Sequence, residues 1–360
     1  MLLFMLIFIV LLGVVQHYYR KKALVGIDYN YSVSKKVVEP QELFEYTCTL
    51  KNNSNRFIPF VRTIQVMPDV KHEDDTILRR LDDFKTPTCI YDSSTYLPRK
   101  SIYQLTIDLS IAKRGVHDFR GVSLYIGDFL GATTIYKRFE KVNQIVVYPP
   151  FLKSPLLNKK LGSFLGDISI RRFIMEDPVL IVGMREYTGR EPMKHISWKQ
   201  TAKTQHLVVK QFDYTTEMLV QIILDVADNL TEDEYETLYS VTRSMVQDIH
   251  HRKISYNLVT NAIIHGYFKE KSTFDAINST SMSHLQHTLE LLGRGGYGCV
   301  KNLDSLLHNM PLSNSSVVIL ILGRHDARKI KLVQEKLTQN SNELLVIVSE
   351  DYMTKTSHAS

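Results

Sequence analysis

At 360 residues the chain is long enough for two folded domains, and its 44% apolar content supports sizeable cores rather than a disordered polymer. Its 44 basic and 38 acidic residues leave a formal charge of +6 spread along the chain, which argues against a basic nucleic-acid stripe. Three scattered cysteines, Cys48, Cys89 and Cys299, form no CxxC pair; this excludes a zinc knuckle and reads as reduced, buried thiols.

The chain opens on an apolar run. From Met1 to Val15 every residue except Gly13 is apolar, and Tyr18 and Tyr19 precede the basic cluster Arg20-Lys21-Lys22. That pattern predicts a transmembrane helix over residues 1–19, with the tyrosines at headgroup level. A cleaved signal peptide would carry positive charge before the apolar run and a small-x-small site after it, and neither is present. Because the basic cluster follows the span, the positive-inside rule predicts a single-pass protein of the cell membrane with the bulk of the chain cytoplasmic.

Between residues 26 and 150 the pattern has period two. Glu42–Leu50, Ile58–Val66, Ser101–Leu109, Gly115–Tyr125 and Gln144–Tyr148 read as strands punctuated by polar turns, which predicts an antiparallel β-sandwich. After a segment at 151–212, the period changes. Leu219–Val226, Ile254–Ile264, Ser316–Leu322 and Glu343–Val348 read as strands, alternating with helical patterns at Glu232–His250, Met282–Leu292 and Ala327–Leu337. The alternation predicts a multidomain chain closing on a doubly wound, Rossmann-like α/β domain over 213–350, with any ligand crevice at the carboxyl ends of its strands. The polar tail 351–360 is expected to be disordered.

The segment from Gly183 to Phe212 resembles the signature of the DUF58 family, a family named for a domain of unknown function. The resemblance lies in Arg185-Glu186-Tyr187, Ile196, Trp198-Lys199, Thr201-Ala202-Lys203 and Leu207-Val208-Val209. Weaker echoes are Thr47–Leu50 with the Lys51–Ser54 turn, and Lys113–Val116 leading to Gly127–Gly131. Departures occur at Arg190-Glu191, where the family usually has Gly-Asp, and at Lys194, where it has arginine. The resemblance implies a β-sandwich, a signature segment at the domain junction and a von Willebrand factor A-like (vWA-like) α/β domain. It also implies a non-enzymatic scaffold or adaptor that works with a MoxR-type AAA+ ATPase in assembling protein complexes at the cell envelope of a bacterium.

Arg185, Glu186, Tyr187, Glu191, Lys194, Trp198, Lys199 and Lys203 are the candidate partner-binding or domain-junction residues. Trp198 is the sole tryptophan and is expected to be a buried anchor, with Arg185 and Glu186 as a charge pair beside it. The vWA-like reading places a metal motif at Asp225, Ala227 and Asn229; with a methyl and an amide in place of two hydroxyls, no metal and no cofactor are expected. Gly293–Gly298 fits no phosphate-binding pattern and is read as a flexible helix exit. The alternatives from other classes are a serine hydrolase-like enzyme using Ser197 and His195, and a metal-dependent adhesion-type protein.

Overall fold

A computed structural model of the chain describes residues 4–7, 10–11, 13–14, 17, 22–74, 78–81, 88–128, 134–174, 181–189, 191–212, 219–266, 280–308, 316–338 and 343–353. Among the described residues no helix is long and apolar enough to cross a membrane. The transmembrane helix expected over 1–19 is corrected by that finding. The run has only 15 positions from Met1 to Val15 before Gln16 and His17 interrupt it, short of the roughly 20 apolar residues a bilayer core needs. A positive-inside argument needs a span, so the single-pass localisation with a cytoplasmic bulk falls with it.

The chain divides into two compact units. One contains the residues up to Pro150 together with Leu289–Gly296; the other begins at Phe151. The first is built from β1 (Ile27–Val33), β2 (Val37–Val38), β3 (Phe44–Asn52), β4 (Ile58–Pro68), β5 (Leu78–Leu81), β6 (Thr88–Leu97), β7 (Ile102–Leu109), β8 (Gly115–Phe119), β9 (Val122–Gly127), β10 (Thr134–Phe139) and β11 (Asn143–Val147). These strands form three sheets, β1-β3-β7, β10-β9-β4-β6-β5 and β2-β11-β8. Alternation decides which face is inward. Phe44, Tyr46, Cys48 and Leu50 of β3 are buried while Glu45 and Lys51 are exposed, as a period of two requires.

The inward faces share an aromatic core. Tyr46 stacks on Tyr31 at 5.7 Å and on Phe119 at 6.0 Å, and Phe44 meets Phe119 edge-on at 6.1 Å. The buried hydroxyls are satisfied, Tyr46 donating to Gln65 Oε1 and Tyr31 donating to the Phe119 carbonyl at 2.6 Å, because an unpaired hydroxyl there would cost its desolvation. Asn52, the buried last residue of β3, donates to the Arg56 and Pro98 carbonyls at 2.8 and 2.7 Å, so its side chain locks the turn that follows.

The second unit contains α1 (Pro155–Ile174), the ribbon β12 (Ile181–Glu186) and β13 (Val208–Phe212), and α2 (Trp198–Thr204) between them. The chain continues through β14 (Leu219–Asp225), α3 (Glu232–His251), β15 (Ser255–Thr260), β16 (Ala262–Ile264), α4 (Met282–Arg294), β17 (Gly295–Cys299), α5 (Leu303–His308), β18 (Ser316–Leu322), α6 (Ala327–Thr338) and β19 (Leu344–Val348), with Ile264 and Leu289–Gly296 belonging to the first unit. Four of these strands form a parallel sheet of order β15-β14-β18-β19.

That arrangement corrects the expected doubly wound, vWA/Rossmann-like domain: among the described residues strand outweighs helix and is distributed over several sheets, and the parallel sheet has four members only. The cause is local. The run Ile254–Ile264 breaks at Asn261, whose buried side chain accepts from the Val226 amide at 2.7 Å, and the following residues pair with β17 instead of extending the sheet. The glycine run is likewise not a flexible helix exit, since Gly295–Cys299 is strand. Gly293 is required by close approach: a Cβ there would sit 2.8 Å from Val146 Cγ1 and 2.9 Å from the Val147 carbonyl oxygen.

Two histidines carry a pH signature. His117 on β8 and His284 on α4 are both pushed below the ordinary histidine value, chiefly by burial. The unfolded chain therefore binds more protons than the folded one once the pH drops below the unfolded value of about 6.5. Their contribution is fully present above about pH 6.5 and is lost as the pH falls through it toward the depressed folded values. Thermal melts should show that loss, and the His117→Gln/His284→Gln variant should flatten the slope between about pH 7 and 5; an unchanged slope in the variant would refute the assignment.

Candidate functional site

The signature segment folds as a compact hairpin. β12 and β13 pair antiparallel, Glu186 opposite Val208 and Arg185 opposite Val209. Between them the chain makes two turns. In the first, Thr188 donates to Glu191 from its amide at 3.1 Å and from its hydroxyl at 2.8 Å, and Gly189 adopts φ +87°, a left-handed geometry that glycine takes without strain. In the second, α2 is tied to β13: the Ser197 amide donates to the Val208 carbonyl at 2.8 Å, and the Val208 amide donates to Thr201 Oγ1 at 3.1 Å.

Arg185 pairs with Glu191 at 2.7 Å, not with Glu186 as expected. Neighbouring residues on a strand point to opposite faces, so the loop carboxylate of Glu191 is the reachable partner. The Glu191 carboxyl is held down at about 2, first by the Thr188 hydroxyl and also by Arg185. Ile196, Val208 and Val209 are buried beneath the hairpin.

The remaining predicted residues lie on the outside. Trp198 is 61% exposed and Met193 is 65% exposed; Ile181, Met184 and Leu207 are exposed as well, as are Glu186, Lys194, Lys199 and Lys203, with Tyr187 half-buried. The tryptophan is thus not the buried junction anchor expected of it. Ser197, in contrast, is only 7% exposed, a poor position for a hydrolase nucleophile that must reach substrate.

A second constellation sits at the carboxyl ends of the parallel strands. Asp225, the last residue of β14 and 2% exposed, is held by Lys329 of α6 at 2.6 Å and by the Asn261 amide at 2.9 Å. The buried carboxylate therefore has a built-in ammonium counterion, supplied 104 positions along the chain. Ala227 carries a methyl, and its carbonyl accepts from Tyr235 at 2.6 Å; Asn229 is exposed. Asp225, Ala227 and Asn229 line one cavity of about 610 Å³ together with Arg324, His325 and Lys329. An adjoining cavity of about 280 Å³ brings in Asp228, Asn261 and Cys299. Asp228 accepts from the Cys299 amide at 2.8 Å, which with the Cys299 thiol holds its carboxyl below the ordinary value. Among the described residues no group of three or more His, Cys, Asp or Glu could hold a metal ion.

Glu234 flanks the same rim. It closes a capping box with Thr231 at the start of α3 and receives two hydrogen bonds from the Arg324 guanidinium, at 2.6 and 2.8 Å. Arg324 is the main cause that holds its carboxyl down at about 2. Stability from this pair is complete above the unfolded glutamate value of about 4.3 and is lost as the pH falls toward 2. Arg324→Ala should lower stability at pH 7, by an amount that solvent screening keeps small because the guanidinium is nearly half exposed. Denaturant titration at pH 7 and pH 3 checks this, and a penalty that persists undiminished at pH 3 would show the effect is not the ion pair.

No family model matches the chain. A curated relative, the uncharacterized protein YeaD of Bacillus subtilis (strain 168), is 21% identical over 145 residues, covering 40% of this chain and 36% of that protein. The match thus spans about a third of the relative's length. Among solved structures, the CARDB domain of the PF1109 protein from Pyrococcus furiosus aligns with 34% of this chain and 90% of its own, at 15% identity and a TM-score of 0.21. A cohesin module from a Clostridium perfringens family 33 glycoside hydrolase aligns with 33% of this chain and 96% of its own, at 10% identity and a TM-score of 0.23. Likenesses this slight carry neither a fold nor a function to the present chain.

Sequence reasoning located the hairpin residues and Asp225 but missed Lys329, Asn261, Glu234 and Arg324. A Thr231 to Glu234 capping-box spacing is visible in the sequence. Nothing local marks Lys329 or Arg324, which reach their partners only through the stacking of β14 beside β18.

Proposed function

We propose that the protein is a non-enzymatic docking scaffold of the DUF58 type, and that the hairpin Ile181–Phe212 is its partner-binding surface. The observation that carries this reading is the exposure of Trp198, the sole tryptophan, in the same short segment as the exposed Met193, Lys194, Lys199 and Lys203. A large ring left in water on a hydrogen-bonded support, in a segment rich in cations, is what an interface hot spot looks like before its partner arrives. Over Ile181–Phe212 the described charged residues are Arg185, Lys194, Lys199, Lys203 and Lys210 against Glu186 and Glu191, an excess of cations that favours an acidic partner surface. The DUF58 resemblance suggests a MoxR-type AAA+ ATPase as that partner.

Amine-directed crosslinking of the tagged chain in native extracts, read by mass spectrometry, tests it. Crosslinks from Lys194, Lys199 or Lys203 to an AAA+ ATPase are the expected result; crosslinks confined to this chain itself would overturn it.

A further inference from the structure

The two outer sheet faces of the first unit differ in kind. On β1-β3-β7 the outward positions are mostly those of an ordinary solvated face, Asp28, Asn30, Ser32, Glu45, Thr47, Gln104, Thr106 and Asp108 with the single apolar Ile102, and the Thr47 and Thr106 hydroxyls lie 3.1 Å apart. On β10-β9-β4-β6-β5 the strand register assembles rings instead. Tyr136, Tyr125 and Arg62 lie side by side on three neighbouring strands, followed by Ser94 on a fourth. The next row places Gly127 beside Phe60, whose ring covers the glycine at 3.1 Å from where a Cβ would stand. Beyond Phe60, across the irregularity in β4, comes Tyr96, in ring contact with Phe57 at 6.0 Å.

Tyr125 and Tyr136 are themselves in contact at 5.2 Å. Tyr96 is 59% exposed and Tyr136 is 50% exposed, while Phe57 and Phe60 are exposed to a lesser degree. Isolated surface aromatics need no explanation, but a row of them on one sheet face does.

What the face could hold follows from the groups between the rings. Arg62 grips Asp92 through two nitrogens, and Arg138 lies 3.4 Å from Glu140, so the two cations nearest the rings are answered by carboxylates, while Arg79 stands on the edge strand β5 opposite Ile90. A ring region whose charges are paired does not select an ionic ligand. The core of a protein–protein interface is depleted of charge and closes dry, yet here the Arg62–Asp92 pair lies amid the rings and stays partly exposed. Flat rings alternating with fixed hydrogen-bonding groups complement a ligand with apolar C–H faces and a hydroxylated rim.

We infer that the outer face of the β10-β9-β4-β6-β5 sheet is a binding platform for an uncharged polysaccharide, with Tyr96, Tyr125, Tyr136 and Phe60 stacking on sugar rings and Arg62, Asp92 and Ser94 bonding hydroxyls. This site is independent of the hairpin.

Affinity electrophoresis of the full chain through gels containing hydroxyethyl cellulose, glucomannan, xylan or laminarin tests it, with pectin as an anionic comparison. Retardation by at least one neutral glycan is expected, weakened at least tenfold in Tyr96→Ala and in Tyr136→Ala, and unchanged in Trp198→Ala. Both tyrosines are half exposed, so each variant should keep the wild-type melting temperature; the two are made separately so that one unfolded variant leaves the other to decide. Absence of retardation in every neutral gel, retardation by pectin alone, or retardation indifferent to both tyrosine substitutions would overturn the inference. So would a dimer in sedimentation velocity that dissociates in Tyr136→Ala, which would assign the face to a second copy of the chain.

Discussion

Replacing Lys329 by methionine should cost about 3 kcal/mol of folding stability, the largest effect expected of any surface-reaching side chain in this protein. The reason is Asp225. Its carboxylate is 2% exposed and has two partners, the Lys329 ammonium at 2.6 Å and the Asn261 amide at 2.9 Å. Removing the ammonium leaves a buried anion with one neutral donor, and breaking a buried pair by deleting one partner costs about 3–5 kcal/mol. The lower end applies because Lys329 is 31% exposed and part of its charge is already screened by water. Urea titration at pH 7 measures the loss. The double variant Asp225→Asn/Lys329→Met should recover most of it, because two neutral groups replace the orphaned charge. If the double variant is as unstable as the single one, packing of the lysine stem, not the ion pair, is responsible.

Trp198→Ala should behave in the opposite manner. With its ring 61% exposed and α2 held to β13 through Ser197 and Thr201, truncation should change stability by no more than about 0.5–1 kcal/mol. Partner affinity should fall by at least about 30-fold, equivalent to the 2 kcal/mol or more of an interface hot spot. Lys199→Glu should weaken binding chiefly through the association rate, and more at low salt than at high. Titration calorimetry of the full chain against a purified MoxR-type ATPase, with a melting curve on the same sample, separates the two quantities. A large fall in melting temperature with affinity intact would return Trp198 to a structural role and remove the docking surface.

Much of the first unit's strand content was legible because its signal is local. Phe44, Tyr46, Cys48 and Leu50 alternate with polar residues within one strand, and the alternation alone assigns the inward face. β6 was not legible: Asp92-Ser93-Ser94-Thr95 at its middle reads as a turn, and only hydrogen bonding to β4 on one side and β5 on the other makes it strand. β18 and β19 were legible as continuous apolar runs, whereas the division of Ile254–Ile264 into β15 and β16 hinges on where the Asn261 side chain turns. The N-terminal apolar run shows the opposite failure. Its hydropathy pointed to a membrane span, but periodicity and composition do not measure how long an uninterrupted helix becomes.

Trp198 marks the boundary most clearly. Sequence identifies it as unusual, yet a large apolar ring is buried more often than not, so its exposure had to come from the way α2 is hung on β13. By itself the sequence determined the strand and helix periods, the inward residues of most strands, the candidate residues of the signature segment and the acidic residue at the end of β14. Only the tertiary structure decided that this acid would face Lys329, that Arg185 would pair with Glu191, and that the rings of four strands would line one sheet face. Periodicity is written within a few residues of itself; partner choice depends on contacts between positions tens to a hundred residues apart, which no local pattern encodes.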